Sequence, residues 1–364
     1  MKKAETATEE EEYLAIRRAV KGLHFGRWEE KEAAAATIRD LAKRDASKKR
    51  ALAELGVIPS LVSMLVEAKE GGACRRLASE ALVELANGSF TNKVLIVDSG
   101  LLTKLPQLHS KTNLSTIQSL TPLLHSISSL AKAQFPINSL PILSFLLPLL
   151  RSPSPPTDTT TLTSTTTTLY NLSTQLDNSK SIISAGAVHL LLNLCFLQTK
   201  ATEPGLATLA NLALTEEGKR AIEEDSLVPE VLVAVMARDE EPKCQELAAY
   251  LLMVVARRSV EKRRRMVEVG VVEMLMEVGL IGRSRLVRER AIRMLRWLKD
   301  GRNGEMEEEG DVKSCRREIR CMVKQSLDRN MESILRRGGG KKKKKNCSDL
   351  RDYCVRAPDT AYRL

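Results

Sequence analysis

A chain of 364 residues can form two average domains or one elongated array, and its 43% of apolar residues excludes wholesale disorder. Aromatics make up only 3%, so Leu, Val, Ile, Ala and Met must fill the core, which favours packed helices over β-sandwiches. The net charge is +11, and the seven cysteines are scattered without a CxxC pair or a nearby histidine pair, which argues against a zinc site or disulfide framework and for a reducing compartment.

The opening "MKKAETATEEEEYLAI" carries charge where a signal peptide has an apolar run, so secretion is not expected. Within it, "EEEEYLAIRRAVKGL" (9–23) sets Leu14, Ile16, Val20 and Leu23 at helical spacing. Residues 1–26 are therefore expected to form an acidic leader and an N-terminal capping helix.

From residue 27 a pattern recurs. Its copies are "TIRDLA" (37–42), "ALVELA" (81–86), "SISSLA" (126–131), "TLYNLS" (168–173), "TLANLA" (208–213), "LLMVVA" (251–256) and "MLRWLK" (294–299). Their fourth residues are Asp40, Glu84, Ser129, Asn171, Asn211, Val254 and Trp297, separated by 44, 45, 42, 40, 43 and 43 residues. A second marker runs in phase: "AELGVIPSLVSML" (53–65), "VDSGLLTKL" (97–105), "ISAGAVHLLLNL" (183–194) and "VEVGVVEMLMEV" (267–278), with degenerate versions at "INSLPILSFL" and "EDSLVPEVLV". The glycine ends one helix, because it takes a left-handed conformation without steric cost. An apolar helix follows, with Pro59 and Pro229 near its start, where a missing N–H does no harm. A longer helix then ends in the Leu-x-x-Leu pair. A period of about 40–47 residues holding two or three helices belongs to armadillo or HEAT solenoids. The expected fold is all-α: a right-handed armadillo superhelix of about six and a half repeats over 27–300, with capping helices at both ends.

"INSLPILSFLLPLL" (137–150) is too short to span a bilayer and carries two prolines, so it reads as a buried helix. "RSPSPPTDTTTLTSTTTTLYNL" (151–172) starts as a surface loop, after which its threonine run must serve as a third helix despite the cost of β-branching. Locally this repeat should be the least stable. Ser152 and Ser154 each precede a proline and are candidate sites for proline-directed phosphorylation.

Residues 257–345 hold 27 Lys and Arg against 14 Asp and Glu, an excess of +13 that exceeds the whole chain's. It is carried by "RRSVEKRRR" (257–265), "RSRLVRERAIRMLRWLK" (283–299) and "RRGGGKKKKK" (336–345). A linker is expected at 301–311, then an amphipathic helix at 312–337 that either caps the last repeat or docks a partner. Residues 338–364 read as a disordered basic tail. Its Lys341, Lys342, Lys343, Lys344 and Lys345 could contact an import receptor, anionic lipid or RNA. No aromatic-interleaved groove accompanies them, so sequence-specific nucleic-acid binding is not expected.

"AVKGLHFGRWEEKEAAAATIRDLAKRDASKKRALAELGVIPSLVSML" (19–65), "EEPKCQELAAYLLMVVA" (240–256) and "VKQSLDRNMESI" (323–334) resemble plant armadillo-repeat proteins related to the plant U-box ubiquitin ligases. The likeness runs from about residue 12 to 337. Members with a U-box carry it ahead of the repeats; the 26 or so residues before the first repeat here leave no room for one, and no "CPI" segment occurs, so recruitment of a conjugating enzyme is not expected.

The resemblance implies that the third helix of each repeat lines a concave groove. In relatives that clasp extended peptides, an Asn on that helix bonds the peptide backbone, and a Trp one turn earlier stacks on it. Here Asn remains only at Asn171 and Asn211, and the positions one turn earlier read Ala36, Glu80, His125, Thr167, Ala207, Tyr250 and Arg293, without a Trp. A general nuclear-import receptor is therefore not expected. Asn171 and Asn211 either contact a ligand or bond a neighbouring repeat. By the same analogy the groove offers Asp40, Glu80 and Glu84 at one end, Ser129, Thr167, Asn171 and Asn211 in the middle, and Tyr250, Arg293 and Trp297 at the other, with Trp297 read as an anchor or as the last core residue. An acidic-to-basic gradient follows, fit to orient a peptide of opposite gradient.

No G-x-S-x-G, phosphate loop, H-E-x-x-H or Cys with an activating His occurs. No enzymatic activity, cofactor or metal is expected. The leading expectation is a monomeric scaffold that binds a partner protein or extended peptide; the alternatives are a ubiquitination adaptor working with a separate ligase, and a membrane- or RNA-associated protein acting through its tail. The cytoplasm, with access to the nucleus, is the expected location.

Overall fold

The computed structural model describes residues 2–68, 73–109, 114–151, 159–197, 199–238 and 241–300. The chain divides into units Met1–Met306 and Glu307–Leu364. The second unit lies outside the described residues, as do Ser152, Ser154, the linker at 301–311, the helix expected at 312–337 and the lysine run.

The described residues form an all-α solenoid. After α1 (Lys2–Phe25) and α2 (Trp28–Arg44) comes a three-helix unit, α3 (Ala46–Glu54), α4 (Val57–Glu67) and α5 (Ala73–Ala86). The next is α6 (Phe90–Asp98), α7 (Leu101–His109) and α8 (Leu114–Ser128). In the third a 3₁₀ turn (Ser129–Ala133) stands where the first helix belongs, before α9 (Leu140–Arg151) and α10 (Thr159–Ser173). Three full units follow: α11 (Ser179–Ser184), α12 (Ala187–Phe196) and α13 (Thr202–Leu212); α14 (Glu216–Glu224), α15 (Glu230–Met236) and α16 (Pro242–Arg258); α17 (Val260–Glu268), α18 (Val271–Ile281) and α19 (Arg285–Asp300). Third helices pack in series as α2, α5, α8, α10, α13, α16 and α19, and second helices as α4, α7, α9, α12, α15 and α18. Helix α1 packs on α2 and α4. Among the described residues, no single helix is long and apolar enough to cross a membrane.

Both sequence markers have a physical role. Gly56, Gly100, Gly186 and Gly270 take φ between 74° and 80°, the left-handed conformation that lets the first helix turn into the second. The leucines of the recurring pattern, Leu82, Leu209 and Leu252, are fully buried between successive units.

A stack of short helices buries many helix ends, whose last carbonyls have no partner within the helix. The side chain entering the next helix supplies one. Between second and third helices, Arg75 Nη2 donates to the Ala68 carbonyl (2.8 Å), Gln245 Nε2 to Met236 (2.9 Å) and Arg288 Nη1 to Gly282 (2.6 Å). Between third and first helices, Asn92 Nδ2 donates to Leu85 (2.9 Å), Asn178 Nδ2 to Leu172 (3.1 Å) and Arg263 Nη1 to Ala256 (2.6 Å). Where α13 meets α14 the site is closed by contact instead: a Cβ on Gly218 would lie 2.0 Å from the Leu212 carbonyl oxygen.

The threonine run does form a third helix. Its hydroxyls turn back onto its own backbone: Thr163, Thr167 and Thr168 each donate to the carbonyl four residues earlier at 2.7 Å, which lets Thr168 sit fully buried.

Leu82→Ala, Leu209→Ala and Leu252→Ala are each expected to cost about 2–5 kcal/mol in urea denaturation, because each empties a buried site between units. Asn211→Ala, which removes one half-buried hydrogen bond, is expected to cost about 1 kcal/mol. An equal loss from Asn211 would mean that its row belongs to the core rather than to the groove.

Candidate functional site

The third helices pack in series as one row, and most of the expected site positions on them carry polar side chains. At its N-terminal end α2, α5 and α8 border an open cleft of about 520 Å³, into which Asp40, Glu80 and Glu84 converge. The acidic end expected from those residues is corrected by their neighbours, since Arg39, Lys43 and Arg76 line the same cleft. Glu80 accepts from Arg39 Nη1 and from Arg76 Nη1, both at 2.7 Å, and Arg39 Nε also pairs with Asp40 at 2.9 Å. Burial acts to raise the Glu80 pKa, but the hydrogen bonds from Arg39 and Arg76 outweigh it and hold the carboxyl below its ordinary value. The physical reason is helical: Arg39 adjoins Asp40, and Arg76 lies one turn before Glu80 on the same face. Three carboxylates face three cations, and no acidic-to-basic gradient starts here.

In the middle of the row, Asn171 is fully buried: its Nδ2 donates to Ser128 Oγ at 2.9 Å, on the preceding third helix. Asn211 Nδ2 makes the equivalent bond to Ser173 Oγ at 2.9 Å and is half-buried. The two asparagines tie successive units together, so Asn171 is corrected from a groove contact to an inter-repeat rung. Thr167 bonds its own helix through Thr163 and is half-buried. Ser129 Oγ donates to the Ser126 carbonyl (2.6 Å) and accepts from Lys93 Nζ (2.7 Å). Its neighbour His125 is half-buried, and its pKa is held below the ordinary 6.5, first by burial and then by Lys132 and Lys93.

At the C-terminal end Tyr250 and Trp297 are half-buried and Arg293 is exposed. Arg290 lies over the Tyr250 ring, 5.5 Å from its centroid, and donates to the Glu246 carbonyl at 2.6 Å. The cations of "RRSVEKRRR" are largely committed within the solenoid. Arg258 pairs with Glu216 and Glu223, Arg265 with Glu230, Lys262 donates to the Asp225 and Val228 carbonyls, and Arg263 caps α16.

The candidate residues are thus strung along a row, and Asp40, Glu80 and Glu84 share one cleft. Arg39, Lys43, Arg76, Tyr170 and Arg290 stand on the same third helices, Lys93 and Lys132 approach them from α6 and the 3₁₀ turn, and all escaped a reading that took one position per helix. A scan of helical neighbours finds the arginines; Lys93 comes from a first helix, and no local pattern marks it. Among the described residues, no group of His, Cys, Asp and Glu is arranged to hold a metal. Burial pushes the thiols of Cys74, Cys195 and Cys244 up to about 12, so they stay protonated.

A family model described as the plant U-box protein ARM repeat region matches residues 15–316. The chain belongs to that family. Among curated proteins, U-box domain-containing protein 45 of Arabidopsis thaliana is 28% identical to this ARM-repeat chain over 262 residues. The match covers 71% of the chain but 33% of that relative, so the chain spans about a third of the relative's length. Among solved structures, the crystal structure of an engineered protein matches with a TM-score of 0.52 at 23% identity, covering 78% of each chain, which speaks for the fold alone.

Along the row of third helices in this ARM-repeat protein, one titration can be followed directly. Since the folded-state value of His125 is depressed, the stability it contributes is present above the ordinary 6.5 and lost as pH falls through the lower folded value. In NMR titrations of the full chain, the His125 ring is expected to titrate below 6.5, and Lys132→Met to move its midpoint upward. A midpoint at or above the ordinary value would contradict the burial and the charges assigned to it.

Proposed function

We propose that the chain is a non-catalytic scaffold that holds an extended segment of a partner protein along the row of third helices. The observation that carries this reading is the row itself: seven helices from α2 to α19, packed in series, with half-buried polar and charged side chains and an open cleft at one end. Such a surface offers fixed donors and acceptors at a regular repeat, which suits an extended chain better than a compact small molecule. The family match supports a role in protein interaction.

The test is selection of random peptides on the immobilised full chain. Selected peptides are expected to lose about tenfold in affinity when Glu84→Lys or Tyr250→Ala is introduced. They are expected to bind unchanged to Phe196→Ser, which alters an exposed residue on a second helix. Failure to enrich peptides, or binding indifferent to both groove variants, rejects the groove.

A second reading is a substrate-recognition adaptor in ubiquitination, working with a separate ligase. It is supported by family membership and by a relative whose name includes a U-box domain. It predicts slower degradation of the bound partner in cells lacking the chain; an unaltered partner half-life would reject it.

A further inference from the structure

The cations of the solenoid differ in how they are held. Around the N-terminal cleft Arg39 and Arg76 sit against carboxylates, and elsewhere in the solenoid Arg258 and Arg265 do the same. In the middle the arrangement changes. The 3₁₀ turn that replaces a first helix puts Lys132 beside α10, with Nζ 5.0 Å from the centroid of the Tyr170 ring. Lys93 reaches in from α6, half-buried, and donates to Ser129 Oγ at 2.7 Å. His125 lies one turn before Ser129, close enough for Lys132 and Lys93 both to act on its charge. Among the described residues, no carboxylate lies within ion-pair distance of Lys93, Lys132 or His125.

Each lysine is therefore fixed by a neutral partner. The Ser129 hydroxyl already donates to the Ser126 carbonyl, so toward Lys93 it can only accept. One of the three Lys93 protons is engaged and two remain free. The Tyr170 ring attracts the Lys132 ammonium through its quadrupole without cancelling the charge. Two cations of fixed position and uncancelled charge, one of them partly stripped of water, form a surface prepared for an anion.

We propose that Lys93 of α6 and Lys132 of the 3₁₀ turn between α8 and α9 form an anion-receiving subsite of the groove that takes the carboxylate or phosphate side chain of a bound protein segment. Ser129 and Tyr170 act as positioning residues, and His125 lines the subsite. The inference rests on the groove reading above and adds the chemistry of its ligand.

Peptides selected at random on the full chain are the probe. They are expected to carry Asp or Glu at one fixed position. Changing that acid to Asn should weaken binding to the wild-type chain about tenfold. Changing it to phosphoserine should keep or strengthen binding, since the phosphate brings more charge and more acceptor oxygens. On a Lys93→Met/Lys132→Met chain the acid and Asn peptides should bind alike, which isolates the pairing in a double-mutant cycle. Lys132→Met alone, at an exposed residue, should shrink the difference with an unchanged melting curve, which covers the case in which the double variant folds poorly. Selected peptides without an acid, or an acid whose effect survives in Lys132→Met and the double variant, would overturn the subsite while leaving the groove intact. No enrichment at all, or binding indifferent to Glu84→Lys and Tyr250→Ala, would overturn the groove and the subsite with it.

Discussion

Buried helix ends are the constraint on which the rest of this solenoid depends. A stack of helices of about ten residues has many termini, and most of them abut another helix rather than water. Each leaves carbonyls whose burial without a partner costs about 1–3 kcal/mol. The chain meets this at junction after junction with a side chain from the start of the next helix: Arg75, Asn92, Asn178, Gln245, Arg263 and Arg288. Such bonds also fix the angle between consecutive helices, because the donor reaches the carbonyl only when the two elements meet at the right corner. Once corners are fixed, the leucines of successive third helices align and bury one another. The row of third helices is the outer consequence of this inner arrangement.

The same constraint explains why the architecture was legible in the sequence and its supports were not. Leu82, Leu209 and Leu252 recur because an inter-unit apolar site accepts few residue types, and Gly56, Gly100, Gly186 and Gly270 recur because a left-handed corner accepts fewer still. Their period of some 40 residues was therefore visible. The carbonyl caps are interchangeable in chemistry. An arginine, an asparagine, a glutamine or a glycine in direct contact (Gly218) meets the same need, so no letter repeats. The threonine helix was legible only because its place in the period demanded a helix; its own composition argues against one until the Thr hydroxyls are seen to bond back along the backbone.

The N-terminal cleft was partly legible, and the part that was missed is electrostatic. Reading one position per third helix found Asp40, Glu80 and Glu84 in one cleft, yet assigned that cleft the wrong character. Charge in a groove is summed over every side chain that reaches it, and Arg39, Lys43 and Arg76 reach it from adjacent positions of the same helices. For Asn171 and Asn211 the structure shows the second of the two expected roles, a bond to a neighbouring repeat, and only Asn171 is buried by it. With Ser128 and Ser173 one unit away, both amides have a partner on the preceding third helix, through a buried bond at Asn171 and a part-buried one at Asn211.

What separates a structural cation from a receptive one here is the identity of its neighbour, not its exposure. Arg39 and Lys93 are both half-buried, and each is held at 2.7 Å by an oxygen. For Arg39 the oxygen belongs to the Glu80 carboxylate, so the charge is spent on the fold. For Lys93 it belongs to a hydroxyl that orients the ammonium and leaves its charge uncancelled. The cost of partly desolvating Lys93 is visible in its pKa, which burial lowers. No carboxylate among the described residues repays it. In the proposed reading, this cost falls where, among the described residues, a first helix has been replaced by a short turn, and it concentrates charge in the middle of the row of third helices. A ligand with a single acidic side chain would then be positioned by that point, and the regular polar row on either side would only have to follow the rest of the segment.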